Sequence, residues 1–299
     1  MPTLDIRGKK ALITGGGSGI NLAFAKALYN AGCSILIADI SLHSTAKEWL
    51  LSTETSQSSS RVYFHKTDVR YWTQLEETFN AFERQFNGDV PDIVVPGAGL
   101  YEPSTNTFWG DQDSINESRY NIFDVNIMHP IKMTRIAVRR MRLAEKKAGV
   151  ILHLSSITAQ KPSVTNPLYS VSKQAISQFV RCMAPLERLS GIRVVAVAPG
   201  VVDTPLFRDS ASAREHIDLE NDFILPPEEI VKAMMALVVE SKYSSGTVLE
   251  VADIGGWREV KLLNDGGPQG RAASARAKAA EAIRIVEEAL RQDSRGSRI

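Results

Sequence analysis

The alternation of short apolar runs with amphipathic stretches constrains the fold of this chain more than any other feature. Five segments have helical period: Leu22–Ala31, Thr73–Phe86, Ile122–Arg142, Val171–Leu189 and Pro227–Val239. Between them stand seven runs that lack polar alternation, as expected for strands buried on both faces: Ala11–Thr14, Ser34–Ala38, Val62–His65, Ile93–Val95, Val150–Leu154, Val194–Val197 and Thr247–Val251. This order predicts an α/β fold in which a doubly wound, seven-stranded parallel sheet carries helices on both faces.

Composition indicates an ordinary globular protein and offers no electrostatic partner. The 299 residues are 43% hydrophobic and 23% charged, with a formal net charge of +1. We therefore expect neither a nucleic-acid partner nor a membrane surface. No apolar run approaches the roughly 18 residues of a membrane span, and the N-terminus lacks the features of a signal peptide.

Cysteine usage favours a reducing compartment. The two cysteines, Cys33 and Cys182, do not have metal-ligand spacing, and a disulfide framework would need more of them. The expected location is cytoplasmic, and no metal site is predicted.

Two segments depart from the alternation, the tail and Thr204–Pro226. We predict one domain over residues 1–270, followed by a helix-prone tail over 271–299 that forms a surface helix or packs on a partner subunit. Within the domain, Thr204–Pro226 is long, polar and without period, which predicts a lid that closes over a substrate. The Ser/Thr-rich Ser52–Ser60 is predicted to be a solvated loop.

A glycine-rich turn follows the first predicted strand and opens a helix. Glycines let the backbone approach a pyrophosphate, whose charge is stabilised at a helix N-terminus. The spacing Gly15-x-x-x-Gly19-Ile20 differs from G-x-G-x-x-G, but it stands at the first strand–helix junction. We predict cofactor contacts from Gly15, Gly17, Ser18, Gly19 and Ile20.

Acidic residues follow the next two strands. Asp39, beside Ile40, ends the second strand, where a carboxylate can accept both hydroxyls of an adenosine ribose and would repel a 2′-phosphate. No Arg or Lys occupies positions 16–18 or 40–41 to bind that phosphate, so NAD is the predicted cofactor. Asp68 and Val69 are suitably placed to contact the adenine ring. The alternative for either aspartate is that it caps a turn.

Tyr169 and Lys173 stand four residues apart at the start of a predicted helix, so their side chains share one face. A nearby ammonium favours the phenolate of a tyrosine, whose ordinary pKa is near 10. Ser156 closes the preceding strand and offers a hydroxyl to a substrate oxygen. Asn126 lies inside a predicted helix, where asparagine is mildly unfavourable, so we expect it to make a buried hydrogen bond or hold a water.

Together these motifs resemble the short-chain dehydrogenase/reductase family over about residues 8–260. The resemblance extends to a Rossmann-type fold and is greatest for the 15-hydroxyprostaglandin dehydrogenase-like enzymes, and many similar fungal chains serve secondary metabolism. It rests on the joint order of Thr14–Ile20, Asp39, Asp68, Gly97-Ala98-Gly99, Asn126, Ser156, Tyr169, Lys173 and Pro199-Gly200.

The resemblance implies a role for each catalytic residue. Tyr169 would be the acid–base, Lys173 would bind the nicotinamide ribose and lower the pKa of the tyrosine, Ser156 would orient the carbonyl, and Asn126 would hold a proton-relay water. It also implies a homodimer or homotetramer. Further cofactor contacts are implied for Gly97, Ala98, Gly99, Tyr169, Lys173, Pro199, Gly200, Val202 and Thr204.

The chain departs from the family pattern near the predicted cofactor site. Asn21 replaces a glycine that usually allows close helix packing, and the family's Asn-Asn-Ala-Gly stands here as Pro96-Gly97-Ala98-Gly99. Pro185 should kink or end the helix that follows Lys173.

The sequence thus predicts an NAD(H)-dependent enzyme that interconverts a secondary alcohol and a ketone on a hydrophobic polyketide, polycyclic or lipid-like molecule. A non-catalytic dinucleotide sensor or interaction protein on the same fold is one alternative, and an NADP-dependent enzyme or an epimerase is another. The substrate is expected against Gly99–Trp109, Ser156–Leu168 and Thr204–Pro226, with apolar contacts from Tyr101, Phe108, Trp109, Leu206, Phe207 and Phe223.

Overall fold

A sheet of eight strands forms the centre of the fold. In chain order the strands are β1 Lys10–Thr14, β2 Ser34–Asp39, β3 Val62–Lys66, β4 Ile93–Pro96, β5 Gly149–Leu154, β6 Ile192–Pro199, β7 Val248–Asp253 and β8 Gly256–Glu259. Their spatial order is β3-β2-β1-β4-β5-β6-β7-β8, and β1 to β7 pair in parallel. The prediction of a doubly wound sheet is confirmed for these seven strands.

The structure is a computed structural model. It describes residues 4–102, 108–111, 115–116, 118–161, 163–209, 218 and 221–261, together with 284, 287–288 and 290–291 near the C-terminus.

The eighth strand corrects the prediction of a seven-stranded sheet. β8 pairs antiparallel with β7 after a tight turn in which Gly255 has a φ of +79°. Its sequence, Gly-Trp-Arg-Glu, lies at the sheet edge and is mostly exposed. An exposed edge strand needs no apolar run, so the search for buried strands missed it.

Nine helices flank the sheet in the described part of the chain: α1 Gly19–Asn30, α2 Ser44–Glu54, α3 Trp72–Gln85, α4 Asn121–Phe123, α5 His129–Leu143, α6 Pro167–Cys182, α7 Leu186–Ser190, α8 Pro205–Arg208 and α9 Pro227–Val239. Helix α2 was not predicted, because its sequence buries only Ala46 and Thr53. It also includes the first three residues of Ser52–Ser60, which were predicted to be loop. Pro185 separates α6 from α7, as expected.

Successive strand residues face different cores, as a double-wound sheet requires. Ile13 and Ile37 pack with α1 and α9, whereas Leu12 and Leu36 pack with α3, α5 and α6 on the other face. Every one of these strand side chains is at most 1% exposed. Burial on both faces explains why the strands read as continuous apolar runs.

The two segments that broke the alternation fall partly outside the described residues. Residues 210–217 and 219–220 of the predicted lid lie outside them; the described part contains α8 and a β-bridge from Leu225 to Val202. Most of the predicted tail also lies outside them. The described residues at 284, 287–288 and 290–291 are helical, and Leu290 is buried against the α3/α5/α6 core. The division at residue 270 stays a prediction.

Candidate active site

The site lies where the strand order reverses, between β1 and β4. Ligands of open α/β sheets bind in the crevice at the carboxyl ends of the strands at such a point. Here a cavity of about 1000 Å³ runs from Asp39 on β2 to Tyr169 on α6. All of the predicted cofactor and catalytic residues line this cavity except Gly17 and Asn126, which lie just behind it.

The phosphate-binding turn is shaped by its glycines. Gly15 has a φ of +67°, and a Cβ there would lie 2.6 Å from Cα of Ala98. Gly19 begins α1 with a φ of +57°, and a Cβ there would meet the side chain of Thr204 at 3.3 Å. Only glycine allows this backbone. The turn therefore presents the unpaired N–H groups of the first turn of α1 beside the cavity, as an anion site requires.

Asp39 is held in place by the turn. Its Oδ2 accepts a hydrogen bond from the Gly17 N–H at 2.9 Å, and a Cβ on Gly17 would lie 2.8 Å from the same oxygen. Burial raises the pKa of Asp39, while hydrogen bonds from the backbone N–H groups of Gly17 and Ser41 oppose the rise. Gly17 thus acts through Asp39 instead of lining the cavity.

Asp68 has a partner that the sequence did not reveal. Arg70 donates to it from Nε at 2.9 Å, from Nη2 at 2.6 Å and from its backbone N–H at 3.1 Å, and this pairing lowers the pKa of the carboxyl. Both residues line the cavity near Ile40. Arg70 is thus a cation near this end of the cavity that lies outside positions 16–18 and 40–41, where the sequence offers none.

Tyr169, Ser156 and Lys173 meet at the other end of the cavity. Each is at most 9% exposed. Lys173 Nζ lies 5.4 Å from the centroid of the Tyr169 ring and donates to the Leu154 carbonyl at 3.1 Å. Ser156 follows β5 and accepts the N–H of Thr158 at 3.3 Å. The helical spacing of Tyr169 and Lys173 has the predicted effect, because both side chains reach one cavity.

The pKa of Tyr169 differs from the expectation that Lys173 lowers it. Burial raises the pKa of Tyr169, and a side-chain hydrogen bond with Ser156 opposes the rise. Burial also lowers the pKa of Lys173 to about 8. The lysine therefore does not depress the pKa of the phenol below its ordinary value in the protein alone. The phenol is therefore protonated in the protein alone, and it would give up its proton only to a strongly basic oxygen placed beside it.

Asn126 lies in a five-residue π-helical segment, Asp124–Met128, not in regular α-helix. Its Oδ1 accepts the N–H of Leu100 at 2.8 Å, and its Nδ2 donates to the Leu100 carbonyl at 2.9 Å and to Ser172 Oγ at 3.1 Å. The side chain is therefore committed to protein contacts. A water held by this residue would have to bind its backbone carbonyl.

Pro130 explains the π-helical segment. Proline has no N–H and its ring clashes with the carbonyl four residues back, which here belongs to Asn126. The His129 N–H donates instead to Asp124, five residues back. Such bulges are frequent at functional sites. A proline four residues after a candidate polar residue was a signal available in the sequence.

His129 completes the connection between this segment and the phosphate-binding turn. Its Nδ1 lies 3.0 Å from the Val125 carbonyl and its Nε2 lies 3.0 Å from Thr14 Oγ1. Burial lowers the pKa of His129 to about 4, so the ring is neutral. Thr14 Oγ1 in turn accepts the Gly97 N–H at 3.0 Å. A buried chain of hydrogen bonds thus joins α5, β1 and the end of β4.

Glu102 is a second residue that sequence reasoning missed. Its side chain is fully buried. One carboxyl oxygen accepts the backbone N–H of Tyr169 at 2.9 Å, and the other accepts the N–H of Phe108 at 2.8 Å. Glu102 therefore fixes the first turn of α6, from which the tyrosine projects. No local pattern marks this residue, because its partner is 67 positions away.

Aromatic side chains border the cavity next to Tyr169. Tyr101 packs edge-on against Tyr169 and Phe207, with ring centroids 4.9 and 5.1 Å apart. Tyr101, Leu206 and Phe207 line the cavity, as expected. Three other predicted contacts do not line it and are exposed instead: Phe108, Trp109 and Phe223.

The comparisons with known proteins agree with this geometry. A model of the short chain dehydrogenase family matches residues 9–215. Galactitol 2-dehydrogenase of Agrobacterium fabrum (strain C58) is 31% identical over 201 residues, which are 67% of this chain and 73% of that protein. The 15-hydroxyprostaglandin dehydrogenase [NAD(+)] of Bos taurus is 26% identical over 254 residues, 84% of this chain and 88% of that one.

A solved structure is also similar. The 3-ketoacyl-(acyl-carrier-protein) reductase from Brucella melitensis, complexed with NADH, is 25% identical with a TM-score of 0.66 and covers 83% of this chain and 98% of its own. The chain belongs to the short-chain dehydrogenase family of oxidoreductases. Within the described residues, no helix is long and apolar enough to cross a membrane.

Proposed function

We propose that this protein uses NAD(H) to interconvert a secondary alcohol and a ketone on a hydrophobic small molecule. The observation that carries the proposal is the burial of Tyr169, Ser156 and Lys173 together at one end of a cavity whose other end holds Asp39 and the glycine turn. The relatives named above include an enzyme whose name specifies NAD(+) and a reductase solved with NADH.

The cavity fits a dinucleotide at both ends. The turn offers backbone N–H groups to a pyrophosphate, and Asp39 keeps acceptor capacity for the hydroxyls of a ribose. When bound, the nicotinamide supplies the hydride or accepts it. We assign the remaining contacts to Asp68, Val69, Gly97 to Gly99, Pro199, Gly200, Val202 and Thr204, all of which line the cavity.

The chain's own residues would move the proton. In the direction of reduction, the Tyr169 hydroxyl donates its proton to the substrate oxygen, and its raised pKa keeps it protonated until that oxygen becomes basic. Ser156 positions the same oxygen. In the direction of oxidation Tyr169 takes the proton back, and the Lys173 ammonium stabilises the phenolate. Asn126 fixes Leu100 and α6 around these groups.

Asp39 favours NAD over NADP, because a 2′-phosphate would place like charge against the carboxylate. The position of Arg70 in the cavity lining favours NADP, since a guanidinium is a good phosphate ligand. It is engaged by Asp68 and Asn121. We therefore propose NAD as the cofactor.

The substrate proposal rests on the lining next to Tyr169. Tyr101, Leu206 and Phe207 give this end an apolar and aromatic wall. Such a wall suits a polyketide, polycyclic or lipid-like alcohol, and a role in secondary metabolism would follow. A cytoplasmic homodimer or homotetramer completes the proposal.

The test is a screen of secondary alcohols and ketones that follows cofactor absorbance with NAD(H) and NADP(H) in parallel. Tyr169→Phe is the matched control, since it removes only one hydroxyl. We expect a hydrophobic substrate to be turned over with NAD(H) and the control to be inactive. A wild-type protein that binds NADH but turns over no member of the panel would favour the alternative of a non-catalytic dinucleotide sensor.

A further inference from the structure

Asn21 and Gly97 fit each other across the base of the cavity. The Asn21 Nδ2 group donates to the Gly97 carbonyl at 2.9 Å and to the Gly15 carbonyl at 3.3 Å. A Cβ on Gly97 would lie 2.5 Å from that same nitrogen. The amide therefore needs a glycine at position 97, because any side chain there would occupy its place.

The pair joins the two backbone segments that enclose the middle of the cavity. Asn21 belongs to the first turn of α1, directly after the phosphate-binding turn, and Gly97 follows β4. Those segments are already in contact where Gly15 passes Ala98. One amide group thus sets the distance between the glycine turn and the strand end opposite it.

Stability of the protein alone does not explain an asparagine here. Asn21 is 6% exposed, and its Oδ1 has no hydrogen-bond donor among the described residues. A buried amide oxygen without a donor is unfavourable. The asparagine is therefore explained by what its Nδ2 group joins, the Gly15 and Gly97 carbonyls beside the cavity.

We propose that Asn21 and Gly97 are one reciprocal pair, so that an exchange of both residues would preserve the fit. Asn21 is a positioning residue that holds the phosphate-binding turn for the cofactor, and Gly97 is the space that receives it. This inference rests on the proposed binding of NAD(H) in the cavity.

The test is a double-mutant cycle with four proteins: wild type, Asn21→Gly, Gly97→Asn and the double variant. Gly256→Asn is the matched control, since a Cβ there meets nothing within 4 Å. The readouts are the Kd of NADH, from titration of its fluorescence, and the Tm of each protein. An effect that is structural alone would lower Tm without changing the Kd of the folded protein.

We expect each single substitution to weaken NADH binding by about tenfold, the effect of losing one or two hydrogen bonds or of a clash of similar cost. The double variant should recover to within about threefold of wild type, because coupled residues are not additive. The control should bind like wild type. If Gly97→Asn does not fold, Gly97→Ala serves in its place. Its Cβ would already displace the Asn21 amide, so it should weaken binding about as much as Asn21→Gly, and Asn21→Gly should relieve it.

Additive losses in the double variant, or an unchanged Kd in Asn21→Gly, would overturn the exchange while leaving the proposed function intact. A wild-type protein that binds neither NADH nor NADPH would overturn both.

Discussion

The two ends of the cavity are built in different ways. The end at the glycine turn, where we propose that the adenosine binds (the adenosine end), consists of that turn and two carboxylates, Asp39 and Asp68. Backbone N–H groups set the position of Asp39. The reactive end consists of buried polar side chains that arrive from separate elements and bond to one another. The adenosine end is suited to binding a ligand, and the reactive end is suited to keeping reacting groups in fixed positions.

This difference predicts which substitutions should change cofactor binding and which should change the rate of reaction. At the adenosine end a changed side chain alters which cofactor binds, because the turn itself remains. At the reactive end each side chain satisfies its neighbours, as Asn126 does for Leu100 and Ser172. A change there should disturb the chemistry before it disturbs binding.

Lys173→Met should give the largest effect, because Lys173 is the residue assigned to both binding and chemistry. We expect kcat to fall by at least about 100-fold, the lower range for loss of acid–base assistance. The Kd of NADH should rise about tenfold, the cost of one charged hydrogen bond. Steady-state kinetics and fluorescence titration measure the two quantities, with the exposed Lys66→Met as control. An unchanged Kd would show that Lys173 does not bind the ribose of the cofactor.

Asp39 tests the adenosine end alone. Wild type should prefer NAD(H) by at least about 100-fold in kcat/KM, from the loss of a charge-assisted bond combined with repulsion of the 2′-phosphate. Asp39→Ser with Ile40→Arg should relax or reverse this ratio, with little change in kcat for the better cofactor. A wild type that prefers NADPH would show that Arg70, not Asp39, governs this end.

Glu102→Gln tests whether the reactive end depends on groups behind it. Glutamine has one acceptor oxygen, so one of the two N–H groups that Glu102 satisfies would face an amide NH₂ instead. We expect kcat to fall about tenfold, the equivalent of one buried unpaired N–H, while the Kd of NADH stays near wild type. Glu77→Gln on the surface of α3 is the control. An unaffected kcat would show that the position of Tyr169 does not depend on this carboxyl group.

A separate effect concerns stability instead of activity and involves two buried histidines, His129 and His153. Burial lowers the pKa of His129 to about 4 and that of His153 to about 3, below the ordinary pKa of a histidine, about 6.5. The unfolded chain therefore binds more protons between these values, and stability is lost as pH falls from about 6.5 to 4. Each histidine contributes at most about 1.4 kcal/mol per pH unit to the loss.

Denaturant unfolding at a series of pH values measures this slope. His153→Gln should reduce it by about half, since one of the two titrating groups is removed. A slope that His153→Gln leaves unchanged would assign the acid sensitivity to carboxyl groups elsewhere.

The residues of the adenosine end could be located from sequence because they stand at the ends of successive strands. Gly17 and Asp39 are 22 positions apart, but Gly17 follows β1 and Asp39 ends β2. The parallel strands were predicted because burial on both faces leaves a continuous apolar run. Strand β8 has no such run and was missed.

The reactive end could be predicted only in part. Tyr169, Lys173 and Ser156 are close in sequence, and their motif was visible. The residues that hold this end in place come from distant positions. Glu102 lies 67 residues from Tyr169, and Leu100 and Ser172 lie 26 and 46 residues from Asn126. No periodicity of the sequence encodes such pairs. The pKa of Tyr169 is also a property of burial, and burial follows from the assembled fold.

The central claim is that the adenosine end determines cofactor binding and the reactive end determines the rate. Its most direct test measures the Kd of NADH and the single-turnover rate at saturating NADH in Tyr169→Phe and Asp39→Ala. The account predicts that Tyr169→Phe keeps a Kd within about twofold of wild type and loses at least about 100-fold in rate. Asp39→Ala should show the reverse, a Kd about tenfold higher and a nearly unchanged rate. A Tyr169→Phe protein that keeps more than about half of the wild-type rate would contradict the central claim, since the hydroxyl would then supply none of the acid–base assistance assigned to it.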